Sequence, residues 1–361
     1  MGMNDSGWGA GFPRALERYR RNLEAIVTET RTNLPNAKLV LCSAIPYEMN
    51  ADFMLGAKAP VLRRFADTER AVAAETGTRF VDVNKGYTDF LGTLEVLNKG
   101  ALAFSNDGVH PGVMGGHLML AVSIIEGLGA DPFLASETID AASGKPVETK
   151  GVEVTDVAKT ADGVAFTRKL ARSPFPAVKR LEKQELNYND RALYNRFNLG
   201  DRLNRDTVRV TGLDEGNYDV LIDGKVYGTY SSAEFAKGVN FGVFCDSPDF
   251  DRACGLSDAV GAKQVLQMSL MYAELAKKPD EAKIAELKEQ LAAASKEIAN
   301  WTHPLARKVE LKKTDRAFDP WNRQQDAVGL APVQGEKTGS RGFFRDVPLE
   351  PVTIKKITVK E

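Results

Sequence analysis

Histidine and cysteine are scarce in this chain, three of each among 361 residues, and each scarcity closes off a class of chemistry. Three cysteines cannot build a disulfide scaffold. Cys42 falls inside an apolar run and reads as a small core residue. Cys245 and Cys254, nine positions apart in a loop-like stretch, could close a small disulfide in an oxidising compartment. Only His110, His117 and His303 are available as imidazole ligands, so a metal centre needing several is hard to assemble. An excess of one charge is lacking too. With 48 basic against 49 acidic residues and a pI near 6.4, there is no electrostatic case for nucleic acid or an anionic membrane as partner. No apolar run is long enough to span a bilayer, no charged-then-apolar leader follows Met1, and there is no internal repeat.

The length allows two domains and a sizeable core. From Pro13 to Leu34, Leu16, Tyr19, Leu23, Ile26 and Val27 recur at helical spacing, and Pro35-Asn36 ends the pattern. Lys38 to Ala44 has no polar face at Leu39, Val40, Leu41 and Cys42, as in a parallel strand covered on both sides. A helix is expected over 60–76, a strand over 79–83, a helix over 87–98 and an apolar helix over 113–128. Strands alternating with helices imply an α/β fold with a parallel sheet.

Two short blocks carry chemistry. Gly2-Met3-Asn4-Asp5 stands at the start of the chain, and Asp107-Gly108-Val109-His110-Pro111 lies about a hundred positions on. A serine hydroxyl is a poor nucleophile until an imidazole takes its proton, and that imidazole needs a carboxylate on its other nitrogen to fix the tautomer. Asp107 and His110, three residues apart, suit those two roles. Taken singly, each block has a plain alternative: Asn-Asp after glycine is a common turn, and Asp107 could cap the helix that follows.

Together, in this order and with this pattern between them, the blocks resemble the SGNH hydrolases, also called GDSL esterases and lipases. The resemblance covers residues 1 to about 130. It implies a flavodoxin-like three-layer α/β/α domain and an acyl-enzyme mechanism without cofactor or metal. Asn4 is then the oxyanion donor, Asp107 the orienting carboxylate and His110 the general base. Loss of such a donor costs about 3 to 4 kcal/mol in comparable oxyanion holes. The family's Gly-Asp-Ser nucleophile block and its oxyanion glycine have no counterpart here, so no nucleophile is assigned. Ser6 and Ser105 lie beside the retained blocks without the expected strand-to-turn setting. Ser247 in Cys-Asp-Ser-Pro is a chance echo.

On the family's strand order, 2-1-3-4-5, Gly2 to Asp5 follows the third strand, and 38–44 and 79–83 are the fourth and fifth. The first strands are then expected to be missing. The strand at Leu39 to Leu41 would have an open inner edge. The chain is expected to be an inactive fragment of a periplasmic or secreted serine esterase, acting on small acyl esters, carbohydrate esters among them. The alternative is a non-catalytic binding or interaction protein that keeps the esterase scaffold. A metal reading would join His117 to Asp107 and His110 around zinc, against a helix residue satisfied locally; His303, before Pro304, reads as a surface residue.

Residues 131–206 read as linker and connecting helices, from their Ser, Thr, Gly and Lys content at 131–150. Residues 207–361 read as an accessory region. There 208–211, 218–222 and 226–230 form an antiparallel meander turned at Asp223-Gly224, extended by 235–244. Helices over 257–276 and 280–300 form a hairpin broken at Pro279, and 352–359 returns a strand. Trp301, Trp321, Tyr227 and Tyr230 could stack on carbohydrate, though packing of helices on the sheet is the commoner use of such rings.

Overall fold

A computed structural model of the chain describes residues 2–5, 12–47, 59–98, 104–105, 109–112, 115–178 and 188–316. The described residues fall into two units that divide at Ala130 and Asp131.

The first unit is built from α1 (Phe12–Asn33), β1 (Val40–Cys42), α2 (Ala59–Thr76), β2 (Arg79–Val81), α3 (Val83–Asn98) and α4 (Gly116–Gly127). Strand β1 pairs parallel with β2, with Val40 opposite Arg79 and Cys42 opposite Val81. This is the α/β alternation expected from the sequence. Helix α1 exists because Tyr19, Leu23 and Val27 make one apolar stripe, which buries against Phe65, Val72 and Ala73 of α2 and Leu41 of β1. Ile26, included in that stripe from its spacing, is 39% exposed at the stripe's edge. Helix α3 starts four residues earlier than its apolar pattern suggested. Asp82 accepts from the Lys85 N–H at 2.9 Å and so caps it.

The second unit contains β3 (Phe133–Asp140), β4 (Lys145–Lys150), β5 (Val152–Thr160), β6 (Gly163–Leu170), α5 (Tyr188–Arg196), α6 (Leu199–Leu203), β7 (Arg205–Thr211), β8 (Asn217–Ile222), β9 (Lys225–Ser231), α7 (Ser232–Lys237), β10 (Val239–Asn240), α8 (Pro248–Glu274), α9 (Glu281–Trp301) and β11 (Arg307–Thr314). One sheet runs β10-β7-β3-β4 and the other β5-β6-β11-β8-β9. Ile139, Val208 and Val210 of the first sheet meet Val164, Phe166, Val220, Ile222, Val309 and Leu311 of the second in one core, which makes a β-sandwich.

Several expectations are corrected here. Residues 131–206 are not linker and helices alone, because four strands occupy 133–170. Their polar character belongs to the solvent side: β4 is exposed along its whole length, and β3 alternates between buried and half-buried positions. The expected three-strand meander is split, since β7 pairs in one sheet while β8 and β9 pair in the other. The stretch 235–244 is a capped helical turn, a two-residue strand and a 3-10 turn. The expected strand over 352–359 lies outside the described residues, and β11, which fills the centre of the larger sheet, is not signalled by its own residues. No disulfide joins Cys245 to Cys254. Helix α8 begins between them, and the Cys254 Sγ donates to the Val178 carbonyl at 3.3 Å.

Two features fix how the sheets of the sandwich are joined. The chain crosses from one sheet to the other at Gly151, between β4 and β5. Its φ is +71°, and a Cβ there would lie 2.6 Å from the Leu134 carbonyl, so only glycine turns this corner without strain. Arg168, on β6, reaches across to the opposite sheet. It makes a 2.8 Å ion pair with Glu137 of β3 and two hydrogen bonds, 2.6 and 2.9 Å, with Asp206 of β7. All three are buried. Burial pushes the Glu137 carboxyl up to about 7 against the pull of Arg168. Removing the cation alone, Arg168→Met, leaves two buried carboxylates facing each other. It is expected to cost about 3 to 5 kcal/mol in urea unfolding, whereas replacing all three groups by apolar residues is expected to recover most of that loss.

Candidate active site

The two motif blocks are brought to one apolar cluster at the carboxyl end of β1. Ala44 and Tyr47, in the segment leaving that strand, and Leu62 of α2 form its buried centre. Met3 of the first block and Val109 of the second both pack against it. The Tyr47 hydroxyl also donates to the Met3 carbonyl at 3.3 Å. The segment itself is fastened to the start of α3. The Asn84 N–H donates to Ser43 Oγ at 2.9 Å, and the Asn84 side-chain amide donates to the Ala44 carbonyl at 3.1 Å.

Asn4 sits in a turn and is exposed. Gly2, just before it, is buried against the Tyr19 hydroxyl and the Phe65 ring. Beneath this contact the Tyr19 hydroxyl donates to Glu69, a carboxylate only 2% exposed whose second oxygen meets no hydrogen-bond donor among the described residues. Burial pushes the Glu69 carboxyl up to about 7, and the Tyr19 hydroxyl bond only partly offsets it.

His110 is exposed and directly precedes Pro111, which makes an isolated antiparallel bridge with Ser105. The Gly112 N–H donates to the Phe104 carbonyl at 2.6 Å, and the Phe104 ring meets Tyr87 of α3 edge-on at 5.4 Å. Helix α4 starts hard against the same segment, since a Cβ on Gly116 would lie 2.5 Å from the Phe104 carbonyl. Asp107 lies outside the described residues, as do Ser6 and Trp321.

Other candidates are placed elsewhere. Ser105 is buried in its bridge to Pro111. His117 is exposed in the first turn of α4. Ser247 caps α8, accepting from the Phe250 N–H. His303 follows α9, and its carbonyl accepts from Arg252 at 2.7 Å. Among the described residues no group of three or more His, Cys, Asp or Glu could hold a metal ion. No described helix is long and apolar enough to cross a membrane. Of the aromatic candidates, Tyr230 is buried against Phe235 and Phe244, Tyr227 packs on Phe244, and Trp301 lies under the Arg252 guanidinium at 5.4 Å.

Reading by motif misses Tyr47, Met3 and the Tyr19–Glu69 pair. Glu69 has a visible signal: it interrupts the stripe Leu62, Phe65, Ala66, Val72, Ala73 at the position where an apolar residue belongs.

The described parts of this region match a known sequence pattern. Residues 1–117 match the model of the GDSL-like lipase/acylhydrolase family. By that match the region resembles SGNH-type ester hydrolases. Among solved structures, a gut microbial diltiazem-metabolizing enzyme is similar over 87% of this chain and 82% of its own, with a TM-score of 0.69 at 20% identity, a likeness of fold. A catalytic mutant of an acetylxylan esterase from Geobacillus stearothermophilus is 24% identical over 36% of this chain, with a TM-score of 0.29, and the chain spans only 57% of its length. No match was found among curated proteins.

The environment of Glu69 makes a pH prediction. Its folded pKa stands above the ordinary value of 4.5, so the folded state holds the proton longer than the unfolded chain. Stability therefore falls as pH rises from about 4.5 through about 7 and then levels off. Glu69→Gln keeps an acceptor for Tyr19 without the buried charge. It should gain about 2 to 3 kcal/mol over the parent chain at pH 8 and almost nothing at pH 4. Thermal unfolding across that range checks it; an equal gain at both pH values would refute the assignment.

Proposed function

We propose that this region carries the oxyanion and acid–base half of an SGNH serine esterase. Asn4 serves as oxyanion donor, His110 as general base and Asp107 as the carboxylate that orients it. The observation that supports this most is the shared packing of Met3 and Val109 on the Ala44, Tyr47 and Leu62 cluster, because it gives two blocks a hundred residues apart a common foundation. Ester hydrolysis on this scheme needs a serine between His110 and the oxyanion donors. His110 would take the hydroxyl proton as the acyl carbon is attacked and return it to the departing alcohol, and a water would then release the acid by the same route. The side-chain amide of Asn4 would hold the negative charge that builds on the carbonyl oxygen.

No Gly-Asp-Ser block occurs in the 361 residues, so the nucleophile has no candidate among them. Small acyl esters, carbohydrate esters included, are the proposed substrates on the strength of the family resemblance, and an exported location is proposed on the same ground.

The purified 361-residue chain is expected to hydrolyse nitrophenyl acetate no faster than His110→Ala does. When an upstream Gly-Asp-Ser segment is joined to it, hydrolysis should appear. His110→Ala should then lower kcat by about 10⁴-fold or more, and Asn4→Ala by about 10² to 10³-fold with little change in KM. An extended chain that binds acyl esters without turning them over would favour a binding protein on the same scaffold.

A further inference from the structure

Among the described residues, one face of α8 in the helical hairpin of the second unit is exposed. The half-buried Leu266, Leu270 and Ala273 mark the face that packs with α9. On the opposite side Val265 is 65% exposed, Met268 54%, Tyr272 63% and Leu275 75%, with Met271 beside them at 45%. The first four follow a spacing of three, four and three residues, which is the a/d seam of two heptads. Gly261 continues the seam one step back, with open space above it. A seam of this kind is shaped for another helix with the same repeat, and α9 faces the other way.

We propose that this seam binds the α8 seam of a second copy of the chain, antiparallel across a two-fold axis. Three observations support a copy as the occupant. Of the seam's flanking positions, Ala262, Gln264, Ser269, Met271 and Ala276 carry no charge and only Lys278, past the end of α8, does, so two copies meet along the helix without like-charge repulsion. An antiparallel arrangement places Met268 opposite Tyr272 and Val265 opposite Leu275, large against large along the seam. It also keeps Lys277 and Lys278 away from their own counterparts, which a parallel pairing would align. The five side chains are 45 to 75% exposed, on the order of 550 Å² per copy, so that their complete coverage in two copies would bury about 1,100 Å², close to the ~1,000 Å² that a specific interface requires. The surface is isologous, so the association closes at two.

Sedimentation equilibrium of the full chain across micromolar concentrations tests this. The expected result is a reversible dimer of the 39.4 kDa chain. Met268→Glu and Tyr272→Glu, both at exposed positions, should each weaken it by about 100-fold or more while circular dichroism stays unchanged. Under mild oxidation M268C/Y272C should form a covalent dimer and M268C alone should not. A chain that stays at single-chain mass, a dimer indifferent to both glutamates, or crosslinking by M268C alone would overturn the proposal.

Discussion

Parallel pairing of β1 with β2 is the constraint on which the first unit depends. Two parallel strands cannot be joined by a tight turn, so the chain must cross over through α2, and the segments leaving both strands emerge at the same end of the pair. Tyr47 follows one strand and Asp82 follows the other. Ser43 and Asn84 tie the two exits together by a hydrogen bond. The Gly2–Asp5 block and the segment holding His110 both rest on the platform that results, through Met3 and Val109. Segments from distant parts of the chain meet here because the sheet delivers its loops to one edge, which is where ligands bind in open α/β sheets generally.

The second unit solves a different problem. Its two sheets must face each other, and most of the contact between them is apolar. Into that core the fold sets one arginine and two carboxylates, each sheet contributing part of the set. Charges held this way add little net stability, because desolvation offsets their attraction. They do make other pairings of the sheets costly, since any slip strands a buried charge. The aromatic residues of this unit are spent on the same core and on the base of the hairpin, which accounts for Tyr230, Tyr227 and Trp301 as packing side chains.

Much of the first unit is legible in the order of its residues. Tyr19, Leu23 and Val27 announce α1 by period alone, and the unbroken apolar run at Leu39 to Cys42 announces a strand covered on both faces. The second unit is harder to read, for a physical reason. Strands β4 and β5 lie at sheet edges and carry Lys, Glu and Thr toward solvent, so their composition is that of a linker. Strand β11 reads Arg-Lys-Val-Glu-Leu-Lys-Lys-Thr, where only Val309 and Leu311 are fully buried, yet it occupies the centre of its sheet. Hydrogen-bond partners supplied by β6 and β8, rather than its own residues, make it a strand.

The features written in the residues alone are local: which segments are helical, where the Asp223-Gly224 turn reverses the chain, and which residue types could do acyl chemistry at positions 4, 107 and 110. These follow from side-chain period, turn conformation and functional-group chemistry, none of which needs a distant partner. Folding in three dimensions decides which strands share a sheet, that Cys254 faces Val178 rather than Cys245, and that Met3 and Val109 stand on one cluster. Each of these is a contact between residues tens of positions apart. Its free energy comes from burying two surfaces together, and a pattern read along one segment carries no record of the surface it will meet.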